Sequence, residues 1–335
     1  MSSLKLVHKV LITPTTSFGK YSDGYERLRE AGCEPIKASY QYPLKEKQLL
    51  KIIGGIDGII IGIDEVTAKV ILKADKLKVI SKHGVGVDNV DVEEATNRRV
   101  VVANAPGTND DAVADLTFGF ILSLARKIPQ ADRSIKERKW EKIVGVGLEG
   151  KTLGIIGAGR IGKKVIKRAS GFDIKILVYD IYQKAKLAKN LNFEYVSLQR
   201  LLQESDFVSL HVPLTEKTKG MIGKEEIKLM KSSAYLINTA RGGIVDEVAL
   251  FYALKNKKIT GAAIDAYLQE PPTTNPLLEL DNIITTPHMG ADTREAIRNM
   301  DLVSVENVVR ILKGEEPVAS VNFHLIKDKK RRFNK

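Results

Sequence analysis

The sequence predicts an α/β protein built from two parallel-sheet domains, one inserted into the other. Three observations carry that expectation. Short β-branched apolar runs alternate with amphipathic helical stretches along most of the chain. The alternation falls into two series separated by a helical segment over 110–139. A long stretch, 291–335, remains after the second series has ended.

In the first series the apolar runs are KVLITP (9–14), EPIKAS (34–39), GIIIGI (58–63), KVISKHG (78–84) and VVVANAP (100–106). Between them lie GYERLREAG, LKEKQLLKII, VTAKVILKA and VEEATNRR, each with a helical apolar stripe. Strands interleaved with helices make a parallel sheet covered on both faces, here a flavodoxin-like unit. The segment 110–139 reads as one long helix or two, apolar at Val113, Leu116, Phe120 and Leu124. A glycine-rich loop, VGVGLEGKT, follows it.

The second series contains TLGIIG (152–157), IKILVYD (174–180), FVSLHVP (207–213), AYLINTA (234–240), TGAAIDA (260–266) and NIITTPH (282–288). Six strands with helices between them make one complete doubly wound domain. The helical pattern over 292–313 leads away from a finished sheet, so its economical destination is the first unit. The expected organisation is therefore a discontinuous outer domain, 1–106 plus 295–335, with residues 107–294 inserted, and a cleft between the two where ligands bind.

Composition sets the outer limits. A chain of 335 residues with 43% hydrophobic and 28% charged residues can bury a core in each of two domains and is not disordered. From this length two domains, and no third, regulatory one, are expected. The single cysteine, Cys33, excludes an intramolecular disulfide or a thiolate cluster, and no metal site is expected. Lys5, His8 and Lys9 interrupt the apolar core a signal peptide needs, and no apolar run approaches the ~18 residues of a membrane span. A cytoplasmic protein that touches no membrane is the expectation. The formal charge of +12 suits nucleic acid, acidic lipid or small anionic ligands.

Gly157-Ala158-Gly159-Arg160-Ile161-Gly162 is a G-x-G-x-x-G that ends one apolar strand and opens a helix, and Asp180 ends the next strand. The first glycine permits a tight turn, the second lets backbone approach a pyrophosphate, and the third allows close helix packing. The amides of Arg160 and Ile161 then face the phosphate charge, and Asp180 accepts the adenosine ribose hydroxyls. This predicts a Rossmann domain that binds NAD. A carboxylate at 180 disfavours the 2′-phosphate of NADP, although Lys184 and Lys186 lie nearby in sequence.

Nicotinamide chemistry needs a proton donor, a group to polarise a carbonyl and an anchor for substrate charge. Arg241 follows a strand in N-T-A-R-G-G, and its guanidinium suits a carboxylate. His288 ends another strand as an acid/base group, and Glu270, in L-Q-E-P-P, suits the imidazolium as a partner. Taken singly, each has a plainer reading: a surface arginine, a structural histidine, a solvated carboxylate. His83 and His211 also lie near strand ends, so histidine count does not select His288.

These residues sit in segments that resemble the D-isomer-specific 2-hydroxyacid dehydrogenases: HGVGVDNVD, NAPGTNDDAVADLT, GKTLGIIGAGRIGKKV, HVPLTEKTKGMI, INTARGGIVDEVAL, AIDAYLQEPP and TTPHMGADT. The resemblance runs over about 55–310. It implies Arg241, Glu270 and His288 as the catalytic set. It implies cofactor contacts at Gly157, Gly159, Arg160, Ile161, Gly162, Asp180, Val212, Pro213, Thr239, Ala240, Arg241, Asp265, His288, Met289, Gly290 and Ala291. Substrate contacts would fall on the loop Gly84-Val85-Gly86-Val87 and on Asn104 and Arg241. A homodimer through the cofactor domains is also implied, with 110–147 as an arm.

ARGGIVDE, the EPP ending and LARKIPQAD are most like the 3-phosphoglycerate dehydrogenases, which makes 3-phosphoglycerate and 3-phosphohydroxypyruvate the narrowly favoured pair. One departure counts against it. Where those enzymes carry an arginine for the substrate phosphate, this chain has Ile61 and Gly62, with Asp64 adding negative charge; Lys82 is the candidate substitute. Glyoxylate, hydroxypyruvate or another short 2-keto acid is the alternative. An NAD(H)-sensing corepressor-like protein is a reading from another class, although no extended low-complexity tail accompanies the motifs. Nucleic-acid binding has only the charge and the tail KDKKRR in its favour, without a recognition motif or an aromatic platform.

Overall fold

The computed structural model describes residues 7–41 and 43–327. Lys5 and the basic tail beyond Lys327, both used above, lie outside the described residues. The chain divides into two compact units, Met1–Asn109 with Asp292–Lys335 and Asp110–Ala291.

Among the described residues the first unit holds five parallel strands, β1 (His8–Ile12), β2 (Cys33–Lys37), β3 (Gly58–Ile61), β4 (Val79–Lys82) and β5 (Val101–Ala103). Helices α1 (Gly24–Glu30), α2 (Glu46–Ile52), α3 (Ala68–Lys73) and α4 (Val92–Asn97) connect them. The sheet order is β2-β1-β3-β4-β5, the flavodoxin-like order. Strand β3 reads GIII and is buried throughout, as a strand covered on both faces must be. Ile59 and Ile61 join one core with Leu49, Val70 and Ile80, while Ile60 joins the opposite one with Val10 and Ile12.

The second unit opens with two helices, α5 (Asp110–Arg126) and α6 (Ile128–Lys136). Lys127 has a φ of +52°, which ends the first helix, and Pro129 lies in the first turn of the second. Then come β6 (Thr152–Ile156), α7 (Arg160–Ala169), β7 (Lys175–Tyr179), α8 (Ala185–Leu191), β8 (Glu194–Tyr195), α9 (Leu198–Glu204) and β9 (Phe207–Leu210). They are followed by α10 (Lys224–Leu229), β10 (Tyr235–Asn238), α11 (Glu247–Lys255), β11 (Gly261–Ile264) and β12 (Ile283–Thr285). The described sheet has seven strands in the order β12-β11-β10-β9-β6-β7-β8. This is the Rossmann order with a further strand at one edge.

The sequence predicts six strands here; the seventh is β8, whose two residues are too short to leave an apolar run. Alternation fixes which face each side chain serves. Val208 and Leu236 pack with Leu250 and Leu254, whereas Phe207 and Ile237 pack with Phe118, Ile121 and Val165. Truncating Ile237 to alanine is expected to cost about 2–5 kcal/mol.

Helix α12 (Arg294–Leu312) belongs to the first unit, where Val305 and Val308 pack on Val10, Ile12, Ile60 and Val79. No helix among the described residues is long and apolar enough to cross a membrane.

Candidate active site

In an open parallel sheet the ligand site lies at the carboxyl ends of the strands, at the switch in strand order. In the second unit that point is the β6–α7 turn. Gly157 has a φ of +97°, and its amide donates to the Tyr179 carbonyl at 2.9 Å. A Cβ on Gly162 would stand 2.1 Å from the Gly157 carbonyl oxygen, so the first turn of α7 reaches the loop only without a side chain. A Cβ on Gly159 would meet nothing within 4 Å; the loop leaves open space at its middle glycine. A turn that is tight at both ends and open at its centre fits a pyrophosphate.

Asp180 holds this loop from the neighbouring strand. One carboxylate oxygen accepts the Ala158 amide at 2.7 Å and the other accepts the Tyr182 amide at 2.7 Å. The Arg160 guanidinium turns to Asp110 at 3.0 Å. Beyond β9, the Pro213 carbonyl accepts the Thr218 hydroxyl at 2.6 Å, and Val212 packs against the core beneath the Gly157 turn.

The turn after β10 is shaped by Asn238. Its side chain accepts the Ala240 amide at 3.1 Å and donates to the Arg241 carbonyl at 2.8 Å. Thr239 is buried and shares a hydrogen bond with Thr117 at 2.8 Å. A Cβ on Gly242 would lie 2.0 Å from the Tyr267 carbonyl, so the turn is pressed against the segment that carries Glu270.

His288 follows β12 with a φ of +54°, a left-handed conformation uncommon outside glycine. Asp265 sustains the turn: its carboxylate accepts the Thr286 hydroxyl at 2.6 Å and the amides of Met289 and Gly290 at 2.8 and 2.7 Å. The His288 Nδ1 then meets both Glu270 oxygens, at 2.8 and 2.9 Å. A carboxylate only accepts, so Nδ1 carries the proton and Nε2 is left for the chemistry. Glu270 also accepts the Tyr267 amide at 3.0 Å. Burial raises the Glu270 pKa, but the hydrogen bond and charge of His288, the Tyr267 amide and the Arg241 charge outweigh it, and the carboxyl lies below its ordinary value. His211 differs: burial pushes its imidazole down to about 3, so it is neutral, and it shares a hydrogen bond with Ser209 at 3.0 Å.

The arrangement has counterparts among known proteins. The family model described as D-isomer specific 2-hydroxyacid dehydrogenase, NAD binding domain, matches residues 118–290. The chain belongs to that family. It is 43% identical over 326 residues to D-3-phosphoglycerate dehydrogenase of Methanocaldococcus jannaschii, covering 96% of this chain and 61% of the relative. It is equally 43% identical over 313 residues to glyoxylate reductase of Thermococcus litoralis, covering 88% of this chain and 95% of that one. The D-lactate dehydrogenase of Aquifex aeolicus, solved with NAD and lactic acid, superposes with a TM-score of 0.80 at 32% identity, covering 91% and 96% of the two chains. The chain spans about three-fifths of the length of the curated phosphoglycerate dehydrogenases it matches. NAD is the cofactor of the matched domain.

In the first unit of this D-2-hydroxyacid dehydrogenase family member, the expected substrate loop follows β4. The Gly84 carbonyl accepts the Ala105 amide at 2.8 Å, and the Asn104 side chain donates to the Val85 carbonyl at 2.9 Å. Asn104 therefore holds the loop by its carbonyl edge. Among the described residues no protein acceptor takes the amides of Val85 and Gly86.

Two charged residues singled out by the sequence have partners inside the fold. Lys82 is buried, and its ammonium donates to the Gly62 carbonyl and to Asn89 at 2.8 Å, so its charge ties two loops together. Asp64 is fully buried too. It accepts the Thr13 hydroxyl and the amides of Leu44 and Gly62, the latter two at 2.7 and 2.9 Å, and presents no surface charge.

Several supporting residues receive no role from the sequence: Asp110, Thr117, Asn238 and Thr286, which lie inside the quoted segments, and Asp301, which lies outside them. The last carries a signal that sequence does show. Asp301, Ser304 and Asn307 put polar side chains at helical spacing among Ile297, Met300, Val305 and Val308 on the buried side of α12.

Proposed function

We propose that the chain is an NAD-dependent oxidoreductase that interconverts a 2-keto acid and a D-2-hydroxyacid, with a short unphosphorylated keto acid of the glyoxylate or hydroxypyruvate type as substrate. The His288–Glu270 pair, with Arg241 close enough to influence the carboxylate, carries this reading. When bound, the reduced cofactor supplies the hydride. His288 donates the Nε2 proton to the keto oxygen, and Glu270 stabilises the imidazolium before that transfer. Arg241 and the amides of Val85 and Gly86 are assigned to the substrate carboxylate, Arg241 also polarising the carbonyl.

The occupation of Lys82 argues against phosphate as part of the substrate. The cation at the place where the resemblance seeks a phosphate ligand is spent on internal hydrogen bonds. The test is NADH oxidation on glyoxylate, hydroxypyruvate and phosphohydroxypyruvate, compared by kcat/KM. Preference for either unphosphorylated acid supports the assignment; preference for phosphohydroxypyruvate overturns it. Absence of turnover on all three overturns the oxidoreductase reading itself.

A homodimer is proposed on a separate observation. The segment after α6 exposes Trp140 by 86% and Val144 by 81%, and α6 exposes Ile128 and Ile135. Exposed apolar side chains in one neighbourhood mark an interaction surface. Trp140→Glu is expected to shift the molar mass measured by light scattering from dimer to monomer.

A further inference from the structure

We propose that His83 and Asp301 form a positioning clasp for the loop Gly84–Gly86, so that helix α12 sets the geometry of the substrate carboxylate site. The proposal rests on the assignment of that loop to the substrate.

His83 is the last residue paired to the sheet before the loop departs, its amide donating to the Ile61 carbonyl at 2.7 Å. Its side chain is 5% exposed, and Nε2 donates to an oxygen of Asp301 at 2.6 Å; the Asp301 side chain is fully buried. The other Asp301 oxygen accepts the Gly19 amide at 2.9 Å and the Ser22 hydroxyl at 2.6 Å, both from the β1–α1 connection. The edge of Phe18, from the same connection, meets the imidazole at 6.0 Å between ring centres.

The same helix grips both ends of the loop's support. One turn beyond Asp301, Ser304 donates to the Lys82 carbonyl at 3.3 Å and accepts at its own carbonyl from Ser81 at 3.0 Å. A further turn on, Asn307 donates to the Asn104 carbonyl at 3.0 Å. Asn104 in turn holds Val85, and Ala105 holds Gly84. Entry and buttress of the loop are thus tied to three successive polar positions of one helix.

Stability alone is a poor account of the pair. A buried, hydrogen-bonded histidine and carboxylate pay desolvation that a packed apolar pair does not, so the pair adds little net stability over such a replacement. A carboxylate held by two backbone amides needs a fixed geometry, since a hydrogen bond weakens steeply as its donor moves out of line.

The test uses Asp301→Asn and His83→Gln, singly and together, in the full chain with NADH and hydroxypyruvate. In each single variant KM is expected to rise about tenfold, with kcat and NADH affinity within about twofold of wild type. The double variant should be no worse than the worse single one, because both break the same link. Hydrogen exchange in a peptide spanning 101–109 reads the Ala105–Gly84 bond without turnover and should quicken in the variants. If Asp301→Asn does not fold, Ser22→Ala loosens the same carboxylate more gently and should move both readouts in the same direction.

Unchanged KM with wild-type exchange overturns the clasp. So does a loss of kcat and NADH affinity that merely tracks a fall in Tm. A wild-type protein inactive on every keto acid defeats the proposed function, while the exchange comparison still decides whether the pair holds the loop.

Discussion

The two sheets end differently, although both carry charged side chains at the carboxyl ends of their strands. In the second unit His288 and Glu270 are 27% and 20% exposed, and His288 leaves a ring nitrogen for chemistry. In the first unit His83 and Asp301 are 5% and 0% exposed, and Asp64 and Lys82 are also buried and bonded within the fold. One sheet end presents side chains; the other consumes its side chains to present backbone. Charges that must act on a ligand keep some exposure and one uncommitted atom, whereas charges that hold a loop are satisfied completely.

Breaking the first half of that comparison should have the largest effect. His288→Ala is expected to lower kcat/KM by about 10²–10⁴-fold, and Arg241→Ala by about 10²-fold or more. NADH affinity, followed by fluorescence titration, should remain largely intact in both. Near-normal turnover in both variants would falsify the assignment of chemistry to the second unit.

Glu270→Gln comes next, with a loss of about 10²-fold in kcat because the imidazolium loses its counter-charge. Its stability effect has a defined pH dependence. The Glu270 carboxyl lies below its ordinary value of 4.5 in the folded protein, so its contribution is present above pH 4.5 and is lost as pH falls further. Wild type should therefore be the more stable near neutrality, the two proteins converging in acid when unfolding is followed by circular dichroism.

Gly162→Ala tests backbone approach. Its Cβ would meet the Gly157 carbonyl at 2.1 Å, so the loop must shift. The expected result is about 1–3 kcal/mol of lost stability together with weakened NADH binding. Calorimetry and titration separate the two.

The smallest functional effect is expected at Lys82. Lys82→Met should cost about 1–3 kcal/mol by leaving the Asn89 side-chain oxygen without its donor and the Gly62 carbonyl with only the Asn89 amide. The ratio of kcat/KM between hydroxypyruvate and phosphohydroxypyruvate should stay within about twofold of wild type. A selective loss on the phosphorylated acid would return Lys82 to the substrate site.

Much of this was legible in the residues. The apolar runs mark every strand except β8, where two residues are too few to show a pattern. Whether 110–139 is one helix or two is open in the sequence, because the break rests on the backbone of Lys127, a residue with good helix propensity. Arg241, Glu270 and His288 are visible as residues that follow or end apolar strands in glycine- or proline-containing turns. The sequence also offers Glu270 as the partner of His288, but the contact itself arises because adjacent parallel strands bring their turns together.

The sequence by itself determined the alternation of strands and helices, the glycine turn and the residue types able to bind a dinucleotide and move a proton. These are local properties: periodicity, backbone freedom and functional groups. Tertiary structure alone decided which charges are spent. Lys82 reads as a cation awaiting a phosphate and Asp64 as an anion opposing one, yet each has its partners across the chain, Asp64 on Thr13, Leu44 and Gly62, and Lys82 on Gly62 and Asn89. A charge acquires its role from the donors and acceptors that folding places within about 3 Å of it, and those distances are absent from a linear sequence.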